Sequence, residues 1–258
     1  MGIQLLRRRV SRLRRAAAFL AGEFLPPDSL ARAPSARRLQ WLAENLCAIH
    51  GIDVQVTGIR PAGPAVLVAN HISYLDPVAI LQDMPCAAIA KREVAGWPVI
   101  GSVLDTMPVL FVQRSCGYSG ARVLRSARRM LASGVSVLTF PEGTTTTGSD
   151  VLPFKRGVFG LAAHANVPVV PISVRYESTR FAWVGDDPFV PHYLRSVGEP
   201  VIRIHLHYHG AIRRRDEAAK AAEMARRAIR ADLRYVPSVP PPASFPAAPF
   251  PAALQPIA

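Results

Sequence analysis

The sequence predicts an α/β fold: a mixed, mostly parallel sheet flanked by helices, in a single domain that carries a basic N-terminal helix. Three observations predict it. Short β-rich apolar runs alternate with helical segments through the middle of the chain. The 258 residues, 50% of them hydrophobic, can bury one sizeable core. The formal net charge of +13 is unevenly placed, with nine Arg against two acids in residues 1–40, eight Lys/Arg against four acids in 213–234, and 14 against 12 in the remainder. The body is therefore nearly neutral and its flanks are basic, a pattern shared by nucleic-acid binders and by proteins of anionic membrane surfaces.

The elements follow in order. In residues 1–35, Leu6, Val10 and Leu13 recur at helical spacing with Arg on the other faces, which predicts a basic amphipathic helix. Ala16 to Leu20 is too short an apolar run for a secretory signal, and Glu23 with two prolines soon ends it. A helix is expected over 36–49 and strands over 52–57, 65–69, 87–90, 109–112, 135–140, 167–174 and 200–208. Further helices are expected over 76–82, 119–133, 158–164 and 214–233. The uncharged run Gly157 to Val174 spans 18 residues but contains His164, Asn166, Pro168 and Pro171, so it reads as helix then buried strand and not as a membrane span. Residues 36–236 form the expected main domain. Eight of the last 22 residues, 237–258, are proline, which predicts a disordered tail. Cys47, Cys86 and Cys116 have no CxxC spacing, which argues against a disulfide framework or a zinc site and for a reducing compartment.

Two segments concentrate reactive side chains. An apolar strand ends at Asn70 and a helix starts near Asp76, so His71 stands at the carboxyl end of a strand, where open α/β sheets place their ligand crevice. The break between His71 and Asp76 lets the chain fold back, and Asp76 can then fix the tautomer of His71 and make it a general base. The bland alternative is a helix-capping Asp beside a satisfied His. After another strand comes Phe140-Pro141-Glu142-Gly143-Thr144, where Gly143 permits a sharp turn and the hydroxyls and N–H groups suit an anionic or polyhydroxyl ligand. Arg114 ends a further strand in Phe111-Val112-Gln113-Arg114, placed to bind phosphate or carboxylate or simply to face solvent. Val167-Pro168-Val169-Val170-Pro171 reads as a buried strand.

These four blocks, in this order over roughly residues 60–210, resemble the glycerolipid acyltransferase family, which includes bacterial 1-acyl-glycerol-3-phosphate acyltransferases. The resemblance implies that His71 is the general base on the free hydroxyl of a lysolipid, with Asp76 orienting it. The hydroxyl then attacks an acyl thioester of coenzyme A or acyl carrier protein without a covalent acyl-enzyme. It also implies a substrate site at Asn70, Lys91, Arg114, Glu142, Gly143 and Thr144, no metal, and no bound cofactor beyond the thioester co-substrate. Thr145, Thr146 and Thr147 follow where many relatives of phosphate-bearing acceptors carry Arg or Ser-rich continuations. The acceptor is thus either lysophosphatidic acid, held by Arg114, Lys91, Lys155 or Arg156, or another lysolipid such as a lyso-ornithine lipid. The implied location is peripheral, on the cytoplasmic face of the inner membrane, with an anionic lipid surface as partner and no nucleic acid.

Two rival functions stand beside this one: a basic nucleic-acid binder, which would interleave exposed aromatics with its basic residues, and a lipid-ester hydrolase using the same dyad on water. Aromatics are 7% of the chain and absent from residues 1–15, which weighs against the first rival. His205, His207 and His209 share one face of a strand without a nearby carboxylate or Cys cluster, and read as an edge-strand surface and not a metal site. Ser73 lacks a G-x-S-x-G elbow and is expected to cap the next helix. Asp186, Asp187 and His192 read as a Pro-containing polar loop.

Overall fold

The computed structural model describes residues 2–22, 30, 35–97, 100–113, 117–213 and 217–234. Arg114, Cys116 and the tail expected over 237–258 lie outside the described residues. The chain runs as α1 (Gly2–Leu20), α2 (Ser35–His50), β1 (Ile52–Gly58), β2 (Val66–Ala69), α3 (Leu75–Asp83), β3 (Cys86–Lys91) and a 3₁₀ turn (Arg92–Gly96). It continues through α4 (Ile100–Asp105), β4 (Val109–Val112), α5 (Gly117–Ala132), β5 (Ser136–Thr139), α6 (Gly157–His164) and β6 (Val169–Tyr176). A second 3₁₀ turn (Thr179–Phe181), α7 (Phe189–Ser196), β7 (Ile202–Tyr208) and α8 (Ala218–Arg234) complete it.

The seven strands form one sheet in the order β1-β7-β6-β2-β5-β3-β4. Five of its six pairings are parallel, and only β6 with β7 is antiparallel. Strand alternation divides the core. Leu67 and Ala69 of β2 join Leu39, Leu42 and Ala43 of α2, Ala79 and Ile80 of α3, and Ala16 and Phe19 of α1. Val66 and Val68 face the other way, toward Leu131 of α5, Phe159 of α6 and Ile229 of α8. The short strands are buried on both faces, which is why they read as continuous apolar runs and not as alternations.

Two expectations need correction. The His205–His209 strand is interior, because β1 pairs along all its seven residues outside β7 and takes the edge. His207 and His209 are occupied by Thr57 and Ser173, and no group of three metal-capable side chains occurs among the described residues. The segment after Asp187 is not all loop, since His192 is buried within α7 against the Tyr74 hydroxyl. The arginines of α1 do not share a solvent face. Arg8 donates to the Gly198 carbonyl, and Arg12 to those of Val197, Glu199 and Pro200, so these two cap the chain just past the C-terminus of α7. Ile3, Leu6 and Val10 are left outward, 72%, 62% and 47% exposed, beside exposed Arg7 and Arg14. No helix among the described residues is long and apolar enough to cross a membrane.

Burial lowers the basicity of three histidines. His209 is pushed down to about 4 from its ordinary 6.5, first by burial and then by the charges of His207 and Arg175. His50 and His192 shift the same way, again with burial as the largest cause. A folded-state value below the unfolded one means that the unfolded chain binds more protons in acid, so stability is lost as pH falls. Urea midpoints are therefore expected to fall between pH 6.5 and about 4, and His209→Gln to flatten part of that fall.

Candidate active site

The five strands β6, β2, β5, β3 and β4 all end on one edge of the sheet, and their carboxyl ends present in turn Tyr176, His71, Glu142, Lys91 and Gln113. Because β2 and β5 are paired neighbours, with Val68 opposite Thr139, the turns that follow them meet. The expected His71 and Glu142 segments are thereby brought together by the topology.

Asp76 sits in the first turn of α3 and is fully buried. Its Oδ2 accepts from the backbone N–H of Ile72 (2.6 Å) and Ser73 (2.8 Å) and contacts His71 Nδ1 at 2.7 Å. Its Oδ1 accepts from the Tyr176 hydroxyl at 2.6 Å. A buried carboxylate holds its charge only when its lone pairs are met, and here four donors meet them. With Nδ1 turned to Asp76, the Nε2 of His71 is the ring nitrogen free to take a proton. The ring stacks on Phe140 with centroids 4.1 Å apart, and the His71 side chain is 15% exposed. The Ser73 hydroxyl makes no capping bond to α3, contrary to expectation: the helix starts one residue later, with Tyr74 at its N-cap, and Ser73 contributes its backbone N–H to Asp76 instead.

Glu142 is buried, and its two oxygens accept from the N–H of His71 (2.7 Å) and of Leu152 (2.8 Å). It ties the β5–α6 connection to the His71 turn. Burial pushes its carboxyl above the ordinary value, against the pull of those two amides and of His71. The same turn is fastened by Thr146 N–H to the His71 carbonyl at 2.7 Å and by Trp183 N–H to that of Ile72 at 2.9 Å. Asn70 is fully buried, exchanging two hydrogen bonds with the backbone of Val174 on β6. The structure thus buries Asn70 and Glu142 beside the His71 turn with their polar atoms bonded to backbone.

Gly143 has φ of +80°, and a Cβ there would meet the Lys155 Nζ at 2.6 Å. Lys155 therefore lies directly over the Glu142–Gly143 turn, and its side chain is exposed. Lys91 is also exposed, pairs with Glu93 at 3.4 Å, and stands two strands from β2, about 10 Å away at normal strand spacing. Cys47 and Cys86 are buried thiols pushed upward by burial, which removes them as nucleophiles. Sequence reasoning missed Tyr176 and Trp183. A tyrosine ending the strand beside β2 was a usable signal, since it falls on the same edge as His71. Trp183 lies in a loop whose return to the site no local pattern announces.

Residues 52–175 match the acyltransferase family. The chain is 30% identical over 203 residues to the lyso-ornithine lipid O-acyltransferase of Pseudomonas aeruginosa, covering 76% of this chain and 78% of that one. It is 38% identical over 130 residues to human 1-acyl-sn-glycerol-3-phosphate acyltransferase alpha, covering 48% of this chain and 46% of that one. The crystal structure of the 1-acyl-sn-glycerophosphate acyltransferase of Thermotoga maritima has the same fold, with a TM-score of 0.64 over 92% of this chain and 99% of that one, at 22% identity.

Replacing Glu142 by Gln would set an amide NH₂ against a backbone N–H that now finds an acceptor. Glu142→Gln is expected to cost about 1–3 kcal/mol of stability, measured by urea unfolding, and to lower turnover at least tenfold through displacement of the His71 turn.

Proposed function

The chain belongs to the acyltransferase family, and from that premise we propose that it is a lysolipid O-acyltransferase using the His71–Asp76 pair as its base. The observation that carries this reading is the His71–Asp76 contact at the carboxyl edge of the sheet, with one ring nitrogen committed to the carboxylate. His71 Nε2 removes the proton from the acceptor hydroxyl, and that oxygen attacks the thioester carbonyl of acyl-CoA or of an acylated carrier protein. The ester forms, the C–S bond breaks, and the proton held by His71 passes to the departing thiolate. Asp76 stabilises the imidazolium between these two transfers. Phe140 and the strapped turns around His71 limit the access of water, the competing nucleophile that would make the enzyme a hydrolase.

The acceptor in this reading is 1-acyl-glycerol-3-phosphate, giving phosphatidic acid, with Lys155, Lys91 and Arg114 as the cations for its phosphate. A lyso-ornithine lipid is the second reading, favoured by the Pseudomonas aeruginosa relative, which matches more of the chain than the human one does. The enzyme works from a membrane surface, the cytoplasmic face of the inner membrane, through the outward side of α1. Leu6 and Val10 enter the lipid while Arg7 and Arg14 meet anionic head groups. The apolar character of that side and the lack of a spanning helix among the described residues support attachment over insertion.

Incubation with labelled acyl-CoA and a panel of lysolipids, with products identified by mass, tests the reaction and ranks the two acceptors. His71→Ala is expected to abolish transfer while leaving the thermal midpoint within a few degrees of the parent, and retained turnover would overturn the mechanism. Leu6→Asp with Val10→Asp is expected to weaken binding to phosphatidylglycerol-containing vesicles at least tenfold without loss of stability. Arg12→Ala is expected to do the reverse, lowering stability through its lost carbonyl contacts with little effect on vesicle binding.

A further inference from the structure

We propose that Tyr176 is a positioning residue for the acyl-transfer base, fixing Asp76 from the side opposite His71 so that one carboxylate oxygen is committed to the imidazole. The proposal rests on the reading of His71 and Asp76 given above. Its geometry is explicit. Tyr176 is the last residue of β6, and its hydroxyl donates to Asp76 Oδ1 at 2.6 Å. The other oxygen, Oδ2, is the one that meets His71 Nδ1 and the two amides of the turn. With Oδ1 held by the phenol, the carboxylate cannot rotate to exchange its oxygens.

The placement of Tyr176 is itself prepared. Asn70 exchanges two hydrogen bonds with Val174, which fixes the end of β6 against the end of β2. Two residues further along the strand the side chain returns to the same sheet face. Tyr176 therefore reaches the start of α3, and Asn70, Val174, Tyr176, Asp76 and His71 close a ring around the dyad. Burial first, and then the neighbouring charge of Asp76, push the Tyr176 phenol well above its ordinary value. It keeps its proton and donates. The remaining ionisable groups acting on this pair are Glu142 from the β5–α6 connection and Tyr74 at the start of α3.

Removing the phenolic donor leaves more of the negative charge of Asp76 directed at His71, which favours the imidazolium. It also frees the carboxylate to rotate, so Tyr176→Phe, which preserves the ring, is expected to lower kcat about tenfold through the lost alignment of His71, as loss of a hydrogen bond to a charged group does. KM for both substrates should stay within about twofold, and the acidic limb of the kcat profile should move to higher pH. In an Asp76→Asn background the same change should have less than about a twofold further effect, because the charged carboxylate that Tyr176 orients toward His71 is already gone. An unchanged kcat, a loss with the acidic limb unmoved, or a full additional loss in the Asp76→Asn background would each overturn the proposal. Turnover by His71→Ala would instead overturn the dyad reading beneath it, so the two failures are distinguishable.

Discussion

The Asp76 carboxylate, fully buried at the start of α3, is the constraint from which the rest of the site follows. A charge in that position is tolerated only where donors surround it, and the chain supplies them from three places. The turn ahead of α3 gives two amides, His71 gives an imidazole, and β6 gives a phenol. Each donor imposes a demand on the fold. The amides require Ile72 and Ser73 to bend back over the helix start. The phenol requires β6 to lie beside β2, in the register that Asn70 sets. The imidazole is then turned with its second nitrogen toward the edge of the sheet. Catalytic geometry and folding requirement are here the same set of bonds.

Glu142 extends this logic to a second turn. It has the appearance of a reactive acid, yet both oxygens are spent on backbone amides of two separate segments. Its role is to hold the β2 and β5 turns at a fixed separation, and the glycine after it opens room for Lys155 above. The loop that carries Lys155 and the loop that carries His71 are thus one mechanical unit.

The parts of this structure that were legible in the sequence are those set by local pattern. The strand ending at Ala69, the break before Asp76 and the turn after Thr139 each follow from apolar runs closed by polar or glycine residues, and β4 falls at 109–112 as expected. What local pattern does not encode is partnership across the sheet. The histidine strand looked like an edge because nothing within 200–208 says that β1 pairs outside it. Nor does anything near Asn70 announce its partner, Val174, which lies 104 residues away. The division of charge into basic flanks and a neutral body also hid a local feature. Between Asp105 and Glu142 no carboxylate occurs, and Arg122, Arg125, Arg128 and Arg129 form an exposed row on α5. That row is on the sheet face opposite α1, so the basic surface of this protein is not one patch with one partner.

The grip of Arg8 and Arg12 on residues 197–200 spans 185 to 190 positions in the chain. In a chain made from its N-terminus, α1 emerges well before the residues it grips and is therefore placed late, once the end of α7 and residues 197–200 have formed. Until then its arginines have no carbonyls to cap, and Phe19 and Ala16 have only part of their eventual surroundings. The order of synthesis thus leaves α1 an exposed, basic and partly apolar helix until residues 197–200 have been made. A membrane or chaperone met in that interval meets α1 before any catalytic residue is assembled.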